Sequence, residues 1–400
     1  MHAHTMVARI LAPCLDILHA KRAQALIGIT EALLSGGRAS LSAMALHLPR
    51  PCAFKHRLKC IDRLLGNTAL QHSRADLYQA LARQWLQGVT QILVVVDWSV
   101  LTQDQRWHLL RASVVVEGRS VTLYEEVHPQ TRFGHPHVHR AFVRQLRRMI
   151  PAGCQIIVMT DAGFHAPWFK LIGRQGWAWL GRVRGVNRVR LDVDGLWHPA
   201  RRLYPRASLH ARDLGAGIYA RSNPVAARVI LAKRPNQGRH SLTIHGQRRA
   251  SRSSTNHARA AREPWLLVTS PSLRHLSAQA VVNLYAQRMR IEQSFRDTKN
   301  LRIGFGLDSA RSRSAPRLEM LLLLVHLAGF VQRLIGEHAR EQQLELQFTA
   351  TRRQDRPEIS VLTLGRRLLD VAFKTQLRFN MTEAISRLRQ QAGFAVAMAT

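Results

Sequence analysis

Residues 92–127 read ILVVVDWSVLTQDQRWHLLRASVVVEGRSVTLYEEV. Ile92 to Val96 is an unbroken run of apolar, mostly β-branched residues, the pattern of a strand buried on both faces, and it stops at Asp97. Leu109–Val116 and Ser120–Val127 flank Glu117-Gly118-Arg119, which predicts a hairpin. A helix is expected from about Val138 to Met149. The run QIIVMT, Gln155 to Thr160, predicts a second buried strand that stops at Asp161 and is followed by Gly163. A helix near Trp168 to Gly173 and a strand over Trp177 to Val183 come next.

A strand and a hairpin, then helix, strand, helix, strand is the order of a ribonuclease-H-like mixed sheet, so the fold class expected is α/β. After Arg184 the pattern breaks into short strands punctuated by Gly, Pro and Asn, a β-rich insertion over 185–263. Between Asp213 and Glu263 there is no carboxylate, while arginines accumulate (Arg221, Arg228, Arg234, Arg248 and others). The stretch from about 234 to 262 reads as a mobile basic loop. Leu266 to Thr269 resumes the core. The expected organisation is a helical domain over 1–88, an α/β domain over 89–340 and an Arg- and Gln-rich helical segment over 341–400, a candidate for dimerisation.

In the first of these, Ala23 to Ser35 predicts a helix closed by Gly36-Gly37. Ser42 to Leu48 is a short helix ended by Pro49, and Ala53 to Leu65 a third ended by Gly66. Short helix, tight turn and basic helix outline a helix-turn-helix, with Lys55, Arg57, Lys59 and Arg63 as the contacting side chains. A plain helical bundle fits the same residues.

Composition narrows the partner. The 400 residues carry a net charge of +34, almost all of it from Arg, and 46% are hydrophobic, enough for a sizeable core. A pI near 11.7 calls for a polyanion, and at this length that is nucleic acid. Cys14, Cys52, Cys60 and Cys154 are scattered without a CxxC, which fits a reduced, cytoplasmic setting. Asp16 and His19 interrupt the N-terminal apolar stretch, against a signal peptide. The most hydrophobic run, Met320 to Val331, is too short to span a bilayer and predicts a buried helix of a soluble protein.

Chemistry concentrates in Ser277–Asn300, a stretch without Gly or Pro that holds Tyr285, Arg288, Glu292 and Lys299 in the spacing Y-x2-R-x3-E-x6-K. On one continuous helix these four share an arc of about 60°. A carboxylate flanked by phosphate-binding cations suits phosphoryl transfer on DNA, although a solvated charged face is the ordinary alternative. Asp97 and Asp161 each end an apolar strand, where folds of this kind build their sites. Three carboxylates would converge only around divalent metal, and oxygen ligands alone point to Mg²⁺ or Mn²⁺. Two such ions can serve both the attacking and the leaving oxygen.

With those residues in place, the chain resembles the DDE transposases of the bacterial insertion-sequence-4 family, and most of all its insertion-sequence-10 members. The resemblance covers about 10–340 and rests on several stretches. These are CIDRLLGN (60–67), VVDWS (95–99), LRASVVVEGRSVTLYE (110–125), DAGF (161–164), WLGRVRG (179–185), EPWLLVTS (263–270) and the Y-R-E-K signature. It implies cut-and-paste transposition by a dimer: binding of terminal inverted repeats, Mg²⁺-assisted nicking, a DNA hairpin, its opening, and joining to target DNA. It implies Asp97, Asp161 and Glu292 as the metal triad, and Tyr285, Arg288 and Lys299 as contacts to the DNA backbone. It offers Trp265 as a wall for a flipped base, against a core Trp that begins a strand.

Other candidates are weaker. His135, His137 and His139 alternate as metal ligands would, and also as a helix start would. Cys52, His56 and Cys60 share a helix face but lack an evident fourth zinc ligand. Arg182, Arg184, Arg188 and Arg190 alternate along a strand and its extension, giving one cationic face for DNA. Two rival functions use the same residues: a metal-dependent nuclease that cuts without joining, and a non-catalytic DNA-binding protein from a decayed element.

Overall fold

The structure, a computed structural model, describes residues 1–235, 247, 251, 254–256, 262–349 and 357–397. The chain divides into two compact units, Met1–Gln155 with Met289–Val396, and Ile156–Arg288 with the last residues. Most of the basic stretch expected to be mobile lies outside the described residues.

The first unit opens with five helices: α1 (Ala3–Leu15), α2 (Ala20–Gly36), α3 (Leu41–His47), α4 (Phe54–Leu65) and α5 (Thr68–Leu86). Gly37 ends α2 at φ 63°, a left-handed conformation suited to glycine, and its N–H bonds Leu33 O. Ser40 and Asn67 cap α3 and α5 with side-chain oxygens. Three antiparallel strands follow, β1 (Gln91–Val100), β2 (Trp107–Val116) and β3 (Arg119–Pro129), in the order β3-β2-β1. The β2–β3 turn is at Gly118 (φ 67°), as the hairpin reading requires. Helix α6 (Pro136–Met149) is the last element of this part.

The N-terminal helices share a core with this sheet. Tyr78 on α5 donates to Glu125 Oε1 at 2.8 Å, and Arg74 donates to Glu125 O at 2.5 Å.

The second unit holds β4 (Gln155–Thr160, of which Gln155 belongs to the first unit), α7 (Ala166–Gly173) and β5 (Ala178–Val183). β4 and β5 pair parallel, with α7 as their crossover. The insertion supplies β6 (Arg188–Leu191), β7 (Trp197–Pro199), the short α8 (Ala200–Leu203), β8 (Arg212–Tyr219) and β9 (Val225–Ala232). Its strands are continuous with the core sheet: β10 (Trp265–Thr269) pairs with β5 on one side and β9 on the other, and the order runs on through β8, β6 and β7. Strand pairing is thus both parallel and antiparallel with flanking helices, the mixed α/β class expected of a ribonuclease-H-like domain. Helix α9 (Ala278–Ala286) follows β10.

The chain then returns to the first unit with α10 (Met289–Lys299), α11 (Ala315–Glu341), α12 (Val361–Ala372) and α13 (Met381–Ala397). Helix α11 contains the apolar run 320–331, and among the described residues it alone is long and apolar enough to cross a membrane. It is instead a core helix, packed by α2, α5, α12 and β3. Burying each of its leucines contributes roughly 1.5–3 kcal/mol.

Candidate active site

Residues 277–300 do not form the single helix that their composition predicts. The N–H of Gln287 bonds Leu284 O at 3.0 Å and that of Arg288 bonds Tyr285 O at 3.1 Å, i to i−3 contacts that overwind the end of α9. The regular count of 100° per residue is interrupted at this point. Tyr285 and Arg288 come before the break; Glu292 and Lys299 come after it, in α10. The break coincides with the boundary between the two units.

In the first unit, α10 buries Ile291, Ser294, Phe295 and Thr298. Glu292 is exposed, and Lys299, seven residues on, lies about 20° from it on the helix flank. The Lys299 ammonium donates to Ser99 Oγ and Val100 O, both at 2.7 Å, and lies 5.5 Å from the Phe295 ring centroid. Burial draws its pKa below the ordinary lysine range, against the attraction of Asp308.

Asp97 does not end its strand, as the sequence reading had it. β1 runs on to Val100 because Trp98, Ser99 and Val100 pair with Leu110, Leu109 and His108. Asp97 is 9% exposed, and its Oδ1 accepts the Trp98 N–H at 2.8 Å. Directly across is Arg111, and across from Arg111 is Glu125. Cross-strand partners project to the same face, so an acid, a base and an acid form a row over three strands. The Arg111 and Glu125 side chains are 2% and 1% exposed and pair at 2.7 Å. Two further Arg111 bonds reach α10, to Ser294 Oγ at 2.8 Å and Thr298 Oγ1 at 3.0 Å. The sequence reading passed over this pair: the turn register, Val116 opposite Arg119, would put Arg111 opposite Tyr124, and only a register shift between Ala112 and Ser113 brings it opposite Glu125.

In the second unit, Asp161 is the first residue beyond β4 and is half-buried. Its Oδ1 accepts the Gly163 N–H at 2.8 Å, a local turn. Tyr285 is 3% exposed, edge-on to Trp265 at 4.8 Å, and the Arg234 guanidinium lies 4.8 Å from the Trp265 centroid. Trp265 therefore begins β10 within an aromatic and cationic cluster.

Arg182 and Arg184 are partnered within the fold. Arg184 pairs with Glu263 at 2.7 Å, and Arg182 donates to Glu263 O at 3.3 Å. Burial lowers the Arg182 pKa. Arg188 and Arg190 are not on an extension of the same strand: β5 stops at Val183, the chain turns at Gly185 (φ 64°), and both belong to β6. Arg228, part of the basic accumulation, pairs with Asp213 at 2.6 Å.

On α4, Lys55, Lys59 and Arg63 are exposed at four-residue spacing, a cationic stripe. Arg57 differs: it is half-buried and donates to Leu46 O at 3.3 Å, tying α4 to α3. Asp62 on the same helix pairs with Arg317 of α11 at 2.5 Å. The histidine triplet is a helix start, with His135 capping α6 ahead of Pro136. His139 points inward and accepts from Trp98 Nε1 at 3.2 Å.

Three carboxylates form a donor set chemically suited to a hard divalent ion. Asp97 and Glu292 belong to one unit and Asp161 to the other. Among the described residues no three His, Cys, Asp or Glu side chains are grouped as a metal site, which also removes the Cys52–His56–Cys60 reading.

Compared with known families, residues 90–329 match the family model of the transposase DDE domain. No curated protein matches the chain.

Proposed function

Because the chain belongs to the DDE transposase family, whose members cleave DNA with divalent metal, we propose that it is a cut-and-paste transposase of an insertion-sequence-4-type element, related to the insertion-sequence-10 members. The observation that carries the reading is that the matched stretch, 90–329, contains Asp97, Asp161, Glu292 and the complete Y-R-E-K spacing.

In this reading Asp97, Asp161 and Glu292 hold Mg²⁺, or Mn²⁺ in its place, as two ions. The bound metal supplies Lewis acidity to the scissile phosphate and the attacking oxygen. Water attacks phosphorus and frees a 3′-hydroxyl. That hydroxyl attacks the opposite strand, expelling its 5′ flank and closing a hairpin. A second water opens the hairpin, and the 3′-hydroxyl then attacks target DNA. Tyr285, Arg288 and Lys299 contact the DNA backbone, while Trp265 stacks on a base displaced at the hairpin. Lys55, Lys59 and Arg63 read the terminal inverted repeats, and Arg57 holds their helix in place. Arg182 and Arg184 add positive potential. Two copies pair two ends, in the cytoplasm.

The decisive experiment is a strand-transfer assay on DNA carrying the element's own ends. The wild-type chain should produce nicked, hairpinned and joined products, in that order. Cutting without joining would favour a nuclease on the same fold, and binding without cutting a non-catalytic DNA-binding protein. Ca²⁺ should support binding without efficient chemistry, and chelator-resistant, zinc-dependent cleavage would overturn the oxygen-ligand assignment.

A further inference from the structure

We propose that Arg111 is a positioning residue for the metal site: it locks the helix that carries Glu292 onto the strands that carry Asp97. The inference rests on the metal-ligand reading given above, and every group in it belongs to one unit.

Arg111 is the register partner of Asp97, so both side chains leave the sheet on the same face. Its guanidinium uses Nε for Glu125 Oε2 (2.7 Å), Nη1 for Ser294 Oγ (2.8 Å) and Nη2 for Thr298 Oγ1 (3.0 Å). The ring of Phe295 lies 5.0 Å from the same cation. Ser294 and Thr298 are one helical turn apart on α10, and a planar donor fork that grips both fixes the helix's rotation and its height over the strands. Glu292 is on the flank of that helix, so a turn of α10 about its axis would swing the carboxylate away.

The guanidinium is itself held by its neighbours. Glu125 is held by Tyr78 Oη at 2.8 Å, and the Arg74 beside it pairs with Glu319 at 3.2 Å, so the Arg111 cation is oriented by a buried network from α5, β3 and α11. At the far end of α10, Lys299 clips Ser99, which projects to the same face of β1 as Asp97. A lysine at 111 could not serve the three acceptors in one plane.

The test removes the helix's acceptors and leaves the Arg111–Glu125 pair in place. Mn²⁺ is titrated into the full chain on a duplex, with free Mn²⁺ read by electron paramagnetic resonance, for wild type, Asp97→Ala, the double variant Ser294→Ala/Thr298→Val, and Thr298→Ser, which keeps the hydroxyl. The double variant should bind Mn²⁺ about tenfold more weakly, with Thr298→Ser near wild type. Its melting temperature should fall by no more than about 10 °C, the cost of two lost hydrogen bonds to a buried cation. Weakening by Asp97→Ala but not by the double variant would overturn the role of Arg111 alone. Equal Mn²⁺ binding by wild type and Asp97→Ala would overturn the metal assignment beneath it. Should the double variant melt far lower, Ser294→Ala alone decides by the same two criteria.

Discussion

Arg111 and Glu125 illustrate how a buried charge serves as structure. The pair is desolvated, so removing one member leaves an uncompensated charge, and Glu125→Gln should destabilise the chain by about 3–5 kcal/mol, read by denaturant titration. A loss below about 1 kcal/mol would mean that the guanidinium reaches water. The three carboxylates answer to a different measurement. Asp97→Ala, Asp161→Ala and Glu292→Ala should each abolish nicking while leaving end binding largely intact, and lost binding with retained cleavage would remove that residue from the triad.

Two buried histidines contribute to the acid response. His326 stacks on Tyr78 at 4.8 Å, and burial lowers its pKa to about 3. Burial, then His128 and His135, lower that of His139 to about 4. Each is held neutral in the fold but protonates near pH 6.5 when unfolded, so the unfolded state takes up more protons below that pH. Stability is therefore present above about pH 6.5 and falls as pH drops, at roughly 1.4 kcal/mol per unit for each histidine until its folded pKa is reached. Melting curves from pH 7 to 4.5 should show the decline, and His139→Phe/His326→Phe should flatten it; an unchanged slope would assign the acid sensitivity elsewhere.

At the level of elements, close approach between backbones decides several positions. Gly336 on α11 and Gly365 on α12 face each other's helices so closely that an added methyl group would meet the Val361 and Gln332 carbonyls. Two helices can touch in this way only where side chains are absent. Gly336→Ala or Gly365→Ala should lower stability by about 1–3 kcal/mol and increase proteolysis of the C-terminal helices; a neutral result would mean that α12 can slide aside. Composition points to helices in this region but does not pair them. The break between α9 and α10 is the converse case, since it occurs among good helix formers and arises from hydrogen bonds that tighten the last turn.

For the whole molecule, the charge of +34 makes association with DNA strongly salt-dependent, with a slope of roughly −0.9 per phosphate neutralised. Deleting residues 1–88 would be a poor test of end recognition, because Tyr78 and Arg74 are bonded into the sheet and the deletion would open the core. Lys55→Ala/Lys59→Ala/Arg63→Ala keeps the core. In gel-shift titrations over a salt series, this variant should reduce the magnitude of the slope by up to about 2–3 and narrow the preference for the element's ends over random DNA. If the preference is unchanged, the reader is not α4.

The hydrophobic period by itself determined the strands around Asp97 and before Asp161, the hairpin at Gly118 and the buried character of 320–331. Each of these is set by contacts within a few residues or by the two faces of one strand. Tertiary structure alone decided that β1 continues past Asp97, because β2 supplies partners there. It decided that Arg182 and Arg184 are absorbed by Glu263 instead of facing outward together. The helix break that divides the Y-R-E-K spacing arises locally, from bonds of Gln287 and Arg288 to carbonyls three residues back, which composition does not reveal. A sequence pattern records which groups are available; which acceptor lies within reach of a long cationic side chain depends on neighbours that the fold brings from far along the chain, as Glu263 is brought to Arg182 and α10 to Arg111.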